Sequence, residues 1–255
     1  MKIGIICADE RMRQVASNLA QDYDVYKIYE ENDVVDVKLD MLVLPVKGMN
    51  EDGNVQMYDR ILHLSDDFWI QQGCDLQVFS GTSEKGNAIT PFWYCYMKDT
   101  KVVSQNAILT AEGILNEMIQ GTCKSIYSQQ VDIIGYGTCG KAIYEILKNL
   151  HVNVRVIRRQ CDLKRNFMSV KDWKQCGDII IHTAIGKMID EQMVKQWEKI
   201  PYIIDIATPQ LLPLEALKEH GCQVVKASNL PGKCASVSAG NIIADYIRRK
   251  IADEK

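Results

Sequence analysis

The chain has 255 residues, of which 47% are hydrophobic and 25% are charged, and its formal net charge is −3. That length allows one large or two ordinary domains, and the composition is that of a soluble globular protein. A slightly acidic chain argues against a general nucleic-acid binder, and no apolar run is long enough to cross a bilayer. We also expect no signal peptide, because the N-terminal apolar run, 3–8, is short and ends in a charged cluster.

Nine cysteines and four histidines are the residues that could suggest disulfides or a metal site. The cysteines contain no Cys-x-x-Cys pair and their number is odd, while the histidines are scattered without metal-ligand spacing. Several cysteines fall in predicted strands or helix starts, where cysteine behaves as a small apolar residue. We therefore expect reduced thiols, a cytoplasmic protein and no metal.

Up to about residue 105, short apolar runs alternate with helical patterns. Four of these runs predict strands: 2–7, 25–28, 40–44 and 76–79. Asp9 is the expected N-cap of a helix that runs toward Ala20, and the continuous run 40–44 is typical of a strand buried in a parallel sheet. A last short strand is expected at 101–103. The helix predicted at 106–120 then connects two α/β regions and borders a cleft between them.

A glycine motif follows the next predicted strand, 131–134, in the stretch Val-Asp-Ile-Ile-Gly-Tyr-Gly-Thr-Cys-Gly-Lys-Ala. Gly135 permits a tight turn, Gly137 lets the backbone approach a pyrophosphate, and Gly140 lets a helix pack against the strand. The N–H groups of that helix, 138–150, then face the phosphates. Another strand pattern, 152–157, completes a βαβ unit, so the motif predicts a nucleotide site.

The rest of the chain continues this alternation. Three more strands, three helices and a turn are predicted: strands at 178–182, 202–206 and 222–226, helices at 191–199, 213–220 and 238–251, and the turn at 229–232. Such alternation indicates the α/β class, with a doubly wound, mostly parallel sheet in each of two domains.

The strand 152–157 also bears on the choice of cofactor. It ends in Ile157-Arg158-Arg159-Gln160 and lacks the carboxylate that usually binds the ribose 2′-hydroxyl of NAD. Guanidinium groups suit the 2′-phosphate dianion of NADP. The sequence favours NADP, with NAD as the alternative. If Arg158 and Arg159 bind no ligand, we expect them to be an exposed pair near Asp162.

Short motifs are spread along nearly the whole chain: Ala8-Asp9-Glu10-Arg11, Leu44-Pro45-Val46-Lys47-Gly48, Phe79-Ser80-Gly81, Asn106, Thr110-Ala111-Glu112-Gly113, the glycine motif at 134–140, Ile204-Asp205-Ile206-Ala207, Leu230-Pro231-Gly232 and Ser238-Ala239-Gly240. Through these motifs the chain resembles the family of the A subunit of dipicolinate synthase. The resemblance implies NADP-dependent oxidation of dihydrodipicolinate to dipicolinate in the cytoplasm of a sporulating cell. It also implies a dimer or other homo-oligomer and a second, flavoprotein subunit.

The resemblance further implies two Rossmann-like or flavodoxin-like parallel-sheet domains flanking a cleft. We place the flavodoxin-like substrate domain at 1–105, with the C-terminal helix, 238–255, as a candidate to pack back on it. The NAD(P)-binding Rossmann domain is expected at 106–237, including the connecting helix 106–120. No nucleic acid or membrane partner is expected.

Three departures from the family pattern leave the substrate open. A serine and a proline of the family are replaced by Ala107 and Leu109, a glycine-rich stretch by 208–211, and a lysine by Val237. The alternatives are an NAD(P)-dependent dehydrogenase of another small carboxylate, or a paralogue that binds NADP(H) without catalysis. A 2-hydroxy acid dehydrogenase is disfavoured, because the regions 205–212 and 227–237 supply neither the arginine nor the histidine that this group needs.

The predicted cofactor-binding residues fall into three sets. The pyrophosphate is expected at Gly135, Tyr136, Gly137, Thr138, Cys139 and Gly140, and the 2′-phosphate at Arg158 and Arg159. The ribose and nicotinamide are expected near residues at strand ends or in the turn after the last strand: Thr183, Ala184, Asp205, Ala207, Asn229, Leu230 and Pro231.

The predicted catalytic residues lie in and just after the first domain. Lys47 and Arg11 are candidates to pair with the substrate carboxylates, and further hydrogen bonds are expected from Ser80, Gly81, Thr82 and Asn106. Glu112 is the candidate proton acceptor, although a first-turn glutamate also complements a helix dipole. For Arg11, the alternative is an exposed helix residue.

Overall fold

A computed structural model describes residues 1–34, 36–82, 90–162 and 167–253. The strands are β1 (Lys2–Ile6), β2 (Asp24–Ile28), β3 (Met41–Val43), β4 (Asn54–Gln56), β5 (Ile61–His63), β6 (Gln77–Ser80), β7 (Trp93–Cys95), β8 (Gln130–Ile134), β9 (Asn153–Arg158), β10 (Met168–Ser169), β11 (Ile179–His182), β12 (Tyr202–Asp205) and β13 (Gln223–Lys226). The helices are α1 (Glu10–Leu19), α2 (Asp66–Gln72), α3 (Thr100–Thr122), α4 (Thr138–Asn149), α5 (Glu191–Lys195), α6 (Leu214–Glu219), α7 (Leu230–Cys234) and α8 (Ser236–Asp253). The chain divides into two units, Met1–Asn106 with Ala235–Lys255, and Ala107–Cys234.

The first unit is built on a parallel sheet in the order β2-β1-β3-β6-β7 and also contains the antiparallel hairpin of β4 and β5. Strand β3 is buried along its length because alternate residues enter two different cores. Met41 and Val43 pack in the core that includes residues of α1 and α8, whereas Leu42 packs in the core that includes Phe68 of α2. The continuous apolar run that predicted this strand therefore reflects burial on both faces.

The strand predicted at 101–103 is wrong, because these residues form the first turn of α3. Asp99 Oδ1 accepts a hydrogen bond from the Val102 backbone N–H at 2.9 Å, as an N-cap does, and the Val102 side chain is buried in the first unit. The strand that completes the sheet is β7, which pairs with β6. Strand β7 was not predicted, because its three residues, Trp93, Tyr94 and Cys95, are too few to show an alternating pattern.

The second unit is a parallel sheet in the order β10-β9-β8-β11-β12-β13, with apolar cores on both faces. Ile179 and Ile181 face the core that contains α4 residues, and Ile180 faces the core that contains Trp173. The strands and helices predicted in this part of the chain are confirmed, with ends that differ by a few residues. Two short elements of this unit were not predicted, the two-residue edge strand β10 and the helix α7.

The turn predicted at 229–232 is wrong after its first residue, because Leu230–Cys234 forms the short helix α7. Asn229 has a φ of 58° and its carbonyl oxygen accepts from the Lys233 N–H at 3.1 Å, so it ends the preceding loop and starts the helix. Pro231 fits because the first helical turn does not use its missing N–H.

Helix α8 packs along α1 in the first unit. Ile243 is buried in the same core as the apolar face of α1, and a Cβ on Gly240 would lie 2.8 Å from the Arg11 carbonyl oxygen. Arg248 adds an ion pair with Asp22 at 2.7 Å. Among the described residues, we find no helix with the length and apolar character of a membrane span.

Candidate functional site

The glycine turn after β8 is shaped by close contacts within the second unit. Gly135 has a φ of 102°, a conformation that favours glycine, and a Cβ there would lie 2.7 Å from Thr183 Oγ1. A Cβ on Gly140 would lie 2.6 Å from the Gly135 carbonyl oxygen. Thr183 is tied to the same turn, because its N–H and its hydroxyl both donate to the Ile134 carbonyl, at 2.9 and 3.0 Å. Gly135 and Gly140 are therefore required by the fold itself.

Gly137 differs from both of these glycines. No atom lies within 4 Å of the position that its Cβ would take, and the residue is exposed. It is the N-cap of α4, yet no side chain caps the helix, which begins at Thr138. The first N–H groups of a helix need an acceptor and carry partial positive charge. The missing side chain at Gly137 leaves room for an anion at this helix terminus, so the turn fits a pyrophosphate.

A cavity of about 610 Å³ opens beside this turn. It brings together seven of the predicted cofactor residues, Gly135, Tyr136, Gly137, Arg158, Arg159, Thr183 and Ala184. Four further lining residues were not predicted: Gln160, Ile185, Gly186 and Met188. Each lies within four residues after a predicted one and could have been found by extending the same loops.

The described residues that line this cavity carry two guanidinium groups and no carboxylate. The backbone at Arg158 and Arg159 is fixed, since its carbonyls accept from the Val170 N–H at 2.7 Å and from Ser169 Oγ at 3.3 Å. The Arg159 guanidinium lies so close to Gly186 that a Cβ at this glycine would clash with it. Both arginines are exposed and can meet a ligand.

Three polar side chains lie at the carboxyl ends of neighbouring strands of the same sheet. Asp205 is fully buried; its Oδ1 accepts from the Ala207 N–H at 3.0 Å and lies 2.9 Å from His182 Nδ1. Its Oδ2 accepts from Lys226 Nζ at 3.1 Å, and Lys226 also donates to the Ala207 carbonyl. Burial opposes ionisation of Asp205, but the hydrogen bonds from His182, Lys226 and Ala207 outweigh it and hold the pKa of this carboxyl below its usual value.

His182 and Lys226 were not predicted from the sequence. Each is the last residue of an apolar strand, as is Asp205, and the three are aligned in register. A polar residue at the same place in three successive strands is a pattern that could have identified them. The predicted residue Asp205 uses its carboxylate inside the protein, where it fixes the turn that carries Ala207.

The remaining predicted cofactor residues have structural contacts in the second unit. Cys139 is half-buried; burial raises the pKa of its thiol, and a hydrogen bond with Thr110 partly offsets the rise. Leu230 is a core residue, and a Cβ on Gly113 of α3 would lie 2.8 Å from its Cβ. Pro231 is also buried, whereas Asn229 is exposed at the start of α7. Thr138 and Gly140 lie in the first turn of α4.

In the first unit, Lys47 and the stretch Ser80–Thr82 follow the carboxyl ends of β3 and β6 and lie together. Gly48 has a φ of 66°, and a Cβ there would lie 2.8 Å from Ser80 Oγ. A Cβ on Gly81 would run into the Val46 backbone. Ser80 and Gly81 are buried, Thr82 is half-buried, and Lys47 is exposed.

Arg11 is only 5% exposed, so the alternative of an exposed helix residue is wrong. Its Nη2 lies 3.1 Å from Asp9 Oδ2, while Asp9 Oδ1 accepts from the Met12 N–H at 3.0 Å. The prediction that Asp9 is the N-cap of α1 is therefore confirmed, and the same carboxylate also holds Arg11.

Tyr96 is a buried phenol of the same unit. Its hydroxyl donates to the Leu44 carbonyl at 3.0 Å. Burial raises the pKa of this phenol, and the positive charge of Arg11 opposes the rise.

Asn106 and Glu112 both lie on α3. Asn106 is half-buried and Glu112 is exposed. Because α3 begins at Thr100, twelve residues before Glu112, this glutamate is not in the first turn. The alternative that it complements the helix dipole is therefore wrong.

No group of three or more potential metal ligands is found among the described residues, and all nine cysteines are free thiols. Their burial varies widely. Cys7 and Cys176 are buried, while Cys74, Cys123, Cys161 and Cys234 are exposed.

Comparisons with known proteins agree with the resemblance inferred from the motifs. No protein-family model matches the chain. The A subunit of dipicolinate synthase from Bacillus subtilis (strain 168) is 23% identical, and the match covers 99% of this chain and 96% of that protein. The crystal structure of the same protein from Bacillus halodurans has a TM-score of 0.84 at 22% identity and covers 98% of this chain and 97% of its own. The chain is thus similar to the A subunit of dipicolinate synthase along nearly its whole length.

More distant structures share the fold alone. D-lactate dehydrogenase from Escherichia coli has a TM-score of 0.61 at 11% identity, covering 100% of this chain and 97% of that one. The NAD-complexed D-isomer specific 2-hydroxyacid dehydrogenase from Lactobacillus delbrueckii ssp. bulgaricus has a TM-score of 0.58 at 12% identity. The match covers 100% of this chain and 98% of that one. The predicted two-domain α/β fold with parallel sheets is confirmed.

Proposed function

We propose that this chain is an NAD(P)-dependent oxidoreductase whose second unit binds the dinucleotide at the glycine turn. The observation that carries the proposal is the open space at Gly137 next to the uncapped N-terminus of α4. A dinucleotide pyrophosphate needs a close backbone approach and unpaired N–H groups, and this terminus offers both. The fold shared with an NAD-complexed dehydrogenase supports the proposal.

We propose NADP as the cofactor, with NAD as the alternative. The described residues lining the cavity supply Arg158 and Arg159 and no carboxylate. A ribose 2′-phosphate is a dianion, and planar guanidinium groups bind it with several charge-assisted hydrogen bonds. A 2′-hydroxyl would find no acidic partner among these side chains.

The reaction that we propose is the oxidation of dihydrodipicolinate to dipicolinate. Full-length similarity to one of the subunits of dipicolinate synthase, in two Bacillus species, supports this substrate. The reaction removes one hydride and one proton from the dihydropyridine ring, which becomes aromatic. The bound cofactor would supply the hydride acceptor. The chain itself would bind the two carboxylates and accept the proton.

Lys47 is the first candidate for a substrate carboxylate, because it is an exposed cation in the loop beside Ser80. Arg11 is the second candidate, and it would act while held by Asp9. Hydrogen bonds are proposed from Ser80, Gly81, Thr82 and Asn106, and proton acceptance from Glu112, whose side chain is exposed on α3.

The test is reduction of NADP or NAD with freshly generated dihydrodipicolinate, followed by the absorbance of the reduced nicotinamide, with and without a flavoprotein partner. We expect turnover that prefers NADP and that falls when Arg158 or Arg159 is replaced by Leu. Confirmed NADPH binding without turnover would reject this substrate and keep the dinucleotide site. No binding of NADPH or NADH would reject the oxidoreductase.

Oxidation of a different small carboxylate is the second candidate function. Val237 is 55% exposed at the start of α8, at a position where the family that the chain resembles carries a lysine. An exposed valine offers no charge to a carboxylate. A panel of small carboxylates with NADP would detect this activity, and NADPH binding without any turnover would point to a non-catalytic paralogue.

We also propose that the chain works in an assembly with another protein, since its relative is named as one subunit of a synthase. A flavoprotein is the partner implied by the resemblance, and self-association is expected as well. Light scattering during size-exclusion chromatography, with the chain alone and with the flavoprotein, would measure both.

A further inference from the structure

A polar row interrupts an apolar face of the second sheet at its carboxyl edge. His182, Asp205 and Lys226 end three neighbouring strands and are aligned in register. Two residues earlier, Ile180 and Ile203 continue the apolar core on that face. His182 and Asp205 are fully buried, and burying their polar groups carries a desolvation cost that apolar residues would not have. The row must therefore supply something that the core does not.

The side chains of the row hold the backbone of the turn after β12, which carries Ala207. Asp205 accepts from the Ala207 N–H at 3.0 Å, and Lys226 donates to the Ala207 carbonyl, so both polar backbone groups of Ala207 are held by side chains. The intervening Ile206 N–H donates to the His182 carbonyl at 3.0 Å. The side chains of Asp205 and Lys226 thus hold the turn directly, whereas the His182 side chain reaches it only through Asp205.

His182 links this turn to the glycine turn. Its Nδ1 lies 2.9 Å from Asp205 Oδ1, while its Nε2 is buried with no hydrogen-bond partner among the described residues. A buried ring nitrogen without a partner is unfavourable, so the contact with Asp205 is what the imidazole contributes. The next residue, Thr183, donates twice to the Ile134 carbonyl and lines the cavity at Gly135.

We propose that His182, Asp205 and Lys226 form a positioning relay that sets the Ala207 turn relative to the glycine turn. Ala207 follows the carboxyl end of β12, the edge at which α/β sheets bind ligands, and it is one of the residues predicted from the sequence to approach the nicotinamide. The relay would thereby determine how tightly the nicotinamide half of the dinucleotide is held. The three are positioning residues, since they act through backbone groups at the strand ends. This inference rests on the proposed dinucleotide site in the second unit.

Lys226 is the residue to change, because its side chain is 37% exposed and tolerates substitution better than the two fully buried members. We would compare Lys226→Met with wild type by calorimetric titration with two probes, NADPH and 2′-phospho-ADP-ribose, which lacks the nicotinamide. Loss of hydrogen bonds from a charged group predicts a fall in NADPH affinity of about tenfold. The affinity for 2′-phospho-ADP-ribose should change by less than about twofold, because its contacts at the glycine turn and the arginines remain.

Two variants serve as matched controls. Lys226→Arg keeps the charge and should restore most of the NADPH affinity. Lys218→Met removes an exposed lysine of α6 in the same unit and should affect neither probe. If Lys226→Met does not fold, as judged by its melting temperature, Lys226→Gln keeps a donor without the charge and is tested with the same two probes.

The outcomes separate the relay from the proposed function. If the wild-type protein binds neither probe, the proposed dinucleotide site is rejected, and the relay is rejected with it. If the wild type binds both probes and Lys226→Met lowers both affinities equally, or lowers neither, the relay is overturned and the dinucleotide site is kept. A selective loss of NADPH, restored by arginine, supports the relay.

Discussion

Replacing Gly137 by alanine should separate binding from folding more cleanly than any other change in the glycine turn. The added Cβ meets no atom within 4 Å, and the backbone at this residue, with φ −76° and ψ −166°, is extended and open to alanine. Alanine is a poorer N-cap than glycine, which costs roughly 0.5–1 kcal/mol. It also restricts the unfolded chain, which stabilises by about 0.4–1 kcal/mol. The two effects nearly cancel, so the free energy of unfolding should change by less than about 1 kcal/mol.

The effect on ligand affinity should be much larger. A methyl group at the uncapped terminus of α4 would displace a pyrophosphate from the N–H groups it needs. Losing one or two charge-assisted hydrogen bonds costs about 1.5–3 kcal/mol, which is roughly a 10- to 100-fold rise in the Kd of NADPH. The assay is a fluorescence titration with NADPH, paired with urea denaturation of the free protein.

Gly135→Ala is the matched control. Its backbone has a φ of 102° and its Cβ would lie 2.7 Å from Thr183 Oγ1, so this variant should lose stability by about 1–3 kcal/mol as well as affinity. Wild-type NADPH affinity in Gly137→Ala would refute the placement of the pyrophosphate at this residue. A loss of stability as large as that of Gly135→Ala would refute the argument from open space.

Three further predictions concern the second unit. Arg159→Leu should raise the Kd of NADPH by roughly 10- to 100-fold and change that of NADH by less than about threefold, as measured by parallel titrations. Asp132 is fully buried and is held by Arg155 Nε at 2.7 Å and by Trp173 Nε1 at 2.9 Å, so Asp132→Ala should lose about 3–5 kcal/mol in urea denaturation. Asp205 has a lowered pKa, so its contribution to stability is complete above the unfolded-state pKa of about 3.9 and is lost as pH falls through the folded-state pKa. In Asp205→Asn, the free energy of unfolding should therefore fall less steeply with decreasing pH than in the wild type, as measured by urea denaturation at several acidic pH values.

Each of these predictions has its own contrary result. Equal losses of NADPH and NADH affinity in Arg159→Leu would mean that this guanidinium does not contact a 2′-phosphate. An Asp132→Ala protein within about 1 kcal/mol of wild type would show that the buried carboxylate network has little net value. Unchanged acid unfolding in Asp205→Asn would mean that its carboxylate titrates alike in the folded and unfolded chain.

Local pattern predicted most of the second unit because the pattern and the tertiary structure agree there. The glycine spacing of 135–140 and the apolar runs 178–182 and 202–206 have local preferences that match the structures they adopt. The start of α3 shows the opposite case. Val102 and Val103 favour a strand by propensity, but the cap from Asp99 and burial of Val102 make them helical. The cap is local and lies within any sequence window, but the burial of Val102 depends on core residues far away in the chain, such as Ile3 and Ile243.

The candidate site was predictable where it is made of backbone and sequence-adjacent loops, and not where it depends on strand order. Gly137 and Arg159 follow directly from the motif and from the end of the next strand. His182 and Lys226 become neighbours of Asp205 only once β11, β12 and β13 are known to be adjacent. The burial of Arg11 likewise required the tertiary structure, although its partner Asp9 lies only two residues away in the sequence.

The interleaving of the two units has a consequence for synthesis on the ribosome. The second unit is one continuous segment, Ala107–Cys234, whereas the first needs Ala235–Lys255 as well as Met1–Asn106. Translation therefore delivers every residue of the second unit before α8 emerges. Until then the core of the first unit lacks Ile243 and Ile247, and the apolar face of α1 has no helix to cover it. The segment of the second unit is therefore complete in the nascent chain before that of the first unit, which waits for α8.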